Sequence, residues 1–193
     1  RQKMIARRLL VKALKTWAPL FNNVVVACVP GNHGENRKNG KAFTTFGDNF
    51  DVAIFDEAAE IFQENPAYKH VKFVIPENDL WLTLDVSGTI IGLAHGHQLR
   101  TGGRYSHQKA VAWLSGQAFG MTEMGDADIL ISGHFHHLFV VNEGKRTLMQ
   151  CPSVDGGSEW FENMTGKSSY AGTLTFSITP GKTQLPWDNL KVL

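Results

Sequence analysis

The chain has 193 residues, 42% of them hydrophobic, which suits one globular domain with a sizeable core. Its formal net charge of +1 supplies no general pull toward nucleic acid or membrane, so an anionic partner must be held by local chemistry. No run approaches the roughly 20 apolar residues that cross a bilayer, and no apolar signal core follows the basic N-terminus.

Apolar residues recur at Ile5, Leu9, Leu10, Ala13, Leu14 and Trp17, which predicts a helix over Gln2–Trp17 ended by Pro19. Its basic residues Arg7, Arg8, Lys12 and Lys15 read as a solvated face rather than a nucleic-acid contact. Val24 to Val29 is a β-branched run expected to be a strand buried on both faces. It opens into Pro30-Gly31-Asn32-His33-Gly34-Glu35. A helix is expected from Asp51 to Phe62, stopped at Asn65-Pro66.

Strands follow at His70–Ile75, Leu80–Val86 and Thr89–Ala94, the last two across Ser87-Gly88. The third runs into His95-Gly96-His97, and a helix is expected from Ser106 to Phe119. Asp128–Ser132 reads as a buried strand emptying into Gly133-His134-Phe135-His136-His137. Leu138–Asn142 and Arg146–Cys151 form a hairpin, and a strand at Gly172–Ile178 precedes a tail containing proline and glycine. The whole is expected to be a single domain, residues 1–193. Cys28 and Cys151, outside any CxxC, read as buried thiols in a reducing cytoplasm.

Six of the eight histidines fall in three loops, each after a buried strand, and ligand sites in layered α/β folds gather beyond the carboxyl ends of strands. Neutral imidazole is a common ligand for zinc, manganese and iron. Two residues apart on an extended segment, His134 and His136 would project the same way. A Gly-Asn-His and a Gly-His-x-His would meet by chance in about one chain in a thousand of this composition.

Gly31-Asn32-His33, His95-Gly96-His97 and Gly133-His134-Phe135-His136 resemble the last three of the five motifs of the calcineurin-like metallophosphoesterase superfamily. Within it the sequence is most similar to phage and bacterial DNA-repair-exonuclease-like members, which Pro152-Ser153 with Gly156-Gly157-Ser158 also fits. The resemblance implies an αββα sandwich of two mixed sheets flanked by helices. It also implies two divalent ions (manganese, iron or zinc) sharing a hydroxide that attacks phosphorus. Asn32, His95 and His134 would hold the second ion and His136 the first, with His33 beside the scissile phosphate. His97 would be substrate-facing or support a ligand, and His137 no ligand. Arg37, Lys38, Lys41, Arg100 and Arg104 are candidate phosphate-backbone contacts.

The family's first two motifs, Asp-x-His and Gly-Asp-x-x-Asp, supply the remaining ligands, and no Asp-x-His occurs here. Gly47-Asp48-Asn49-Phe50-Asp51 spells the second motif but follows Gly-Asn-His, so Asp48 or Asp51 is expected to cap a helix. Gly125-Asp126-Ala127-Asp128 is read with the same scepticism, and Glu35, displaced by Gly34, is not expected to be a ligand. The chain begins at Arg1 inside a helical pattern, as though an upstream β-α-β segment were missing. The expectation is therefore a phosphoesterase parent, a nuclease acting on DNA, with this chain alone weak or inactive and prone to self-association. A phosphatase, a small-nucleotide phosphodiesterase and a non-catalytic metal-binding remnant are the alternatives.

Overall fold

The computed structural model describes residues 1–100, 102–155, 159–166, 168, 170–181 and 185–193. Gly156-Gly157-Ser158 lies outside the described residues. The chain divides into two compact units, Arg1–Leu80 and Trp81–Leu193.

In the first unit, α1 (Gln2–Trp17) is rich in good helix formers and ends in a single 3-10 turn, Ala18–Leu20. Its inner stripe brings Leu10, Val11 and Leu14 against Phe62, Val26 and Val71. Phe62, 1% exposed, meets Tyr68 edge-on at 4.7 Å between ring centroids. Strand β1 (Val24–Ala27) pairs in parallel with β4 (Val71–Val74), and a short hairpin of β2 (Arg37–Lys38) and β3 (Lys41–Ala42) lies between them in sequence. The expectation that β1 is buried on both faces fails. Val26 is 9% exposed but Val25 is 55% exposed, because one face of this two-stranded ladder packs into the core and the alternate side chains do not. Helix α2 (Phe50–Gln63) begins where the sequence puts it, with a different cap. Asn49, not Asp48 or Asp51, is the N-cap, its side chain accepting from Asp51 N at 2.8 Å.

The second unit is built on a mixed five-stranded sheet in the order β5 (Trp81–Val86), β6 (Thr89–Ala94), β7 (Ile129–Ser132), β9 (Arg146–Gln150), β8 (Phe139–Glu143). Strands β5 and β6 form a hairpin whose turn residues Ser87 (φ 55°) and Gly88 (φ 83°) both take positive φ, the turn that matches strand twist. Helix α3 (Ser106–Phe119) connects β6 to β7 and buries Ala110 and Leu114 beside Ala94, Met124, Leu130 and Leu148. The α/β class with a mixed sheet and helices is thus as the sequence implies. Asp128 is structural: its carboxylate accepts from Ile90 N at 2.8 Å and its carbonyl from Thr147 N at 2.9 Å. Three elements of this unit were not expected: the turn Glu123–Asp126, helix α4 (Glu159–Thr165) and strand β11 (Trp187–Val192), which pairs antiparallel with β10 (Leu174–Ile178). No helix among the described residues is long and apolar enough to cross a membrane.

Candidate functional site

The three central strands of the second unit run parallel and in step: Ala94 lies opposite Ser132, and Ser132 opposite Gln150. Their carboxyl ends therefore reach one edge of the sheet together. The ladder continues one residue beyond, with Gly133 N donating to His95 O at 2.9 Å and Cys151 N to Ser132 O at 2.7 Å. This places the start of the His95 loop against the start of the His134 loop. Ring centroids of His95 and His134 are 5.3 Å apart, those of His95 and His97 5.4 Å, and those of His97 and His134 6.3 Å.

Glycine is required where these loops cross. Gly96 has φ +112°, and a Cβ there would stand 3.1 Å from both Gly133 O and His134 Cβ. The Gly133-to-His136 segment differs from the expectation of an extended strand. His134 (φ 65°) and His136 (φ 59°) are both in the left-handed region, because the chain turns sharply out of β7, with Phe135 N donating to Gly133 O at 2.7 Å. Left-handed backbone at two non-glycine residues costs about 1–3 kcal/mol each and is characteristic of functional sites. The strain is held by neighbours. Phe135 packs on the core of the unit and edge-on to His134, at 5.1 Å. His137 Nδ1 lies 2.9 Å from Phe135 O, and buried Gln150 donates to His137 O at 2.9 Å. His136 is exposed, whereas His95, His97 and His134 are half-buried. Arg100 is exposed and its Nε reaches His97 O at 3.4 Å, and Arg104 is exposed in the following loop.

In the first unit, Gly34 N donates to Gly31 O at 3.2 Å, closing a turn with Asn32 and His33 at its centre. The start of α2 holds this turn. Asn49 Nδ2 donates to Gly31 O at 2.9 Å, Gly31 N donates to Asp51 Oδ2 at 3.2 Å, and Phe50 N donates to Gly34 O at 2.8 Å. Only glycine fits at 34, since a Cβ there would collide with Asn49 and Asp51. Arg37 staples the other side, its guanidinium meeting Glu35 at 3.0 Å and Asn32 O at 2.9 Å. Lys38 and Lys41 are exposed in the adjoining hairpin. Sequence reasoning missed Asn49, Asp51 and Gln150 as the supports of these loops.

Burial raises the pKa of Asp51, an effect opposed by the Gly31 N–H bond and the nearby His33. A raised acid pKa means that folding carries no ionisation cost at acid pH and acquires one as pH rises through the carboxylate range. Asp51→Asn, which keeps an acceptor for Gly31 N, should raise the urea midpoint at pH 7 and leave it unchanged at pH 3. A gain that persists at pH 3 would assign the effect to something other than ionisation.

The fit to a metal ion is partial. Two imidazoles bound to one ion at about 2.0–2.1 Å place their ring centres roughly 5 Å apart. The His95–His134 and His95–His97 spacings match that. Among the described residues, however, no three His, Cys, Asp or Glu side chains already form a metal-holding group.

No protein-family model matches this chain, and no curated protein does. Among solved structures it is similar to a conserved uncharacterized protein, a predicted phosphoesterase, from Streptococcus pneumoniae (14% identity, 88% of this chain and 74% of that one, TM-score 0.43). It is also similar to a Vps29 double mutant from Entamoeba histolytica (15%, 94% and 87%, 0.47) and to an archaeal phosphodiesterase (12%, 93% and 74%, 0.42). At these identities and scores the likenesses add nothing to what the residues themselves say.

Proposed function

We propose that this protein is a divalent-metal-dependent phosphoesterase, and more narrowly a phosphodiesterase that cleaves nucleic acid. The observation that carries the reading is the cluster of His95, His97 and His134 on in-register carboxyl ends of parallel strands, with the ligand candidates His134 and His136 on strained backbone. In this reading His95, His134 and His136, with the amide oxygen of Asn32, are ligands, and His33 faces phosphate.

When bound, divalent ions supply nucleophile activation and charge neutralisation at phosphorus. The residues of the chain do the rest. Gly96 lets two imidazole loops cross at close range, Gln150 and Phe135 hold the His134 loop, and the α2 cap with Arg37 fixes the turn that presents Asn32 and His33. Mixed nitrogen and oxygen donors suit manganese, iron or zinc better than calcium. Because the chain contains no Asp-x-His, hydrolysis by these 193 residues should be weak.

The test is hydrolysis of bis-p-nitrophenyl phosphate and of p-nitrophenyl phosphate in manganese and in EDTA. Diester cleavage that EDTA abolishes, exceeding monoester cleavage, is the expected result. Preference for the monoester would replace the diesterase with a phosphatase. No metal-dependent cleavage of either, by this chain or by a longer one containing it, would leave a metal-binding module.

A further inference from the structure

The charge of +1 conceals a sharp division. Six of the nineteen lysines and arginines and none of the eighteen acids lie in residues 1–34, so a charge of +6 there is set against −5 in the rest of the chain. Helix α1 carries five of these cations: Lys3, Arg7, Arg8, Lys12 and Lys15. This is an unfavourable way to build a solvated helix. Lys3 with Arg7 and Arg8 with Lys12 are like-charged pairs four residues apart, which repel. Lys3 also sits near the positive end of the helix dipole, where there is no acid.

The fold answers only part of this charge. Glu57 of α2 takes Lys3 at 2.7 Å and Arg7 as well, and these two hydrogen bonds hold its carboxyl below the usual range. Arg8, Lys12 and Lys15 are exposed and make no ion pair among the described residues. All three, with Arg7, line one open groove of about 450 Å³ that also includes Val11 of α1 and Ile61 of α2. They rise along α1 at one cation per turn, roughly 5–6 Å apart. A row of evenly spaced cations beside an apolar wall matches a linear polymer with one phosphate per unit. A helix held on a lipid surface buries a broad apolar face, whereas this groove is lined by four cations and only two apolar side chains, Val11 and Ile61.

We propose that this groove binds the phosphate backbone of a single-stranded nucleic acid. The proposal goes beyond the metal chemistry above and does not depend on it. Binding of a fluorescein-labelled single-stranded oligodeoxynucleotide to the full chain is measured by anisotropy across a salt series, with EDTA present throughout. The slope of log K against log salt should be steep. In the triple variant Arg8→Gln, Lys12→Gln, Lys15→Gln it should become shallower by about 2, three contacts at about 0.7 each, and affinity should fall ten-fold or more.

A variant of equal net charge, Lys69→Gln, Lys145→Gln, Lys191→Gln, removes three exposed cations outside the groove and should keep the wild-type slope. Circular dichroism of both variants should match the wild type. Equal slopes in the two triple variants would overturn the proposal. So would the absence of oligonucleotide binding alongside binding to phosphatidylserine vesicles that is lost in the Arg8 variant, which would assign the groove to a membrane surface.

Discussion

His134→Ala should weaken manganese binding about 100-fold or more and abolish one ion from a calorimetric titration. The expectation follows from where the side chain sits. Its ring is 5.3 Å from that of His95, the spacing of two imidazoles on one ion, and is held edge-on to Phe135. Residues that merely orient a ligand already cost about 10–100-fold when removed, and a ligand should cost at least as much. His137→Ala is the internal comparison. Its Nδ1 lies against Phe135 O and steadies the loop, so its loss should cost about 10–100-fold, the range of a residue that orients a ligand, and leave the number of bound ions unchanged.

A second variant separates metal binding from folding. His134 is held at φ 65°, where a non-glycine residue costs about 1–2 kcal/mol. His134→Gly relieves that strain, against about 0.4–1 kcal/mol for the freedom glycine gains in the unfolded chain. The metal-free His134→Gly protein should therefore be no less stable than wild type in urea while failing to bind the ion. Such an outcome would mark a position kept for function at the expense of the fold. Unchanged metal binding in both variants would remove His134 from the ligand set.

Much of this site was legible because of one topological fact. Strands β6, β7 and β9 are adjacent and parallel, so motifs placed after each strand in the sequence arrive side by side in space. The apolar runs of β6 and β7 and the positive-φ pair Ser87-Gly88 were readable by period and turn chemistry. Backbone strain was not, since nothing about a histidine announces φ near +60°. The extended geometry expected for His134 and His136 failed for that reason.

Other misses have equally local causes. Asp48, Asn49 and Asp51 are all good caps in one short string, and only the bonds to Gly31 decide that Asn49 has the role and Asp51 braces the turn. Gln150 reads as the last residue of a strand, yet its amide reaches across to His137 O. Strand β11 follows a proline, shifts register against β10 and places Asn189 at φ 54°, which breaks the alternation that would have revealed it. On α1 the solvated cationic face was readable from the residue types, whereas the groove it shares with Ile61 exists only once α2 has packed.

A large stability effect tied to the site is expected at Gly96. Two glycines in the second unit make a controlled pair. Gly88 has φ +83° with nothing within 4 Å of an added Cβ, so Gly88→Ala should pay only the conformational cost, about 1–2 kcal/mol. Gly96 has φ +112°, and its added Cβ would press on Gly133 O and His134 Cβ, each at 3.1 Å. Neither neighbour can yield cheaply. Gly133 is tied through its own N–H to His95 O, and His134 is fixed between the His95 and Phe135 rings. Gly96→Ala should therefore cost about 2–4 kcal/mol, adding steric strain to the conformational penalty. At 2–4 °C per kcal/mol for a chain of this size, the melting temperature should fall by roughly 5–15 °C, against about half that for Gly88→Ala. Metal affinity should drop with it, since the two loops must separate to admit the methyl group, whereas Gly88→Ala should bind the ion as wild type does. Equal losses of stability in the two variants, with metal binding intact in both, would mean that the His95 and His134 loops are not held in the contact described above.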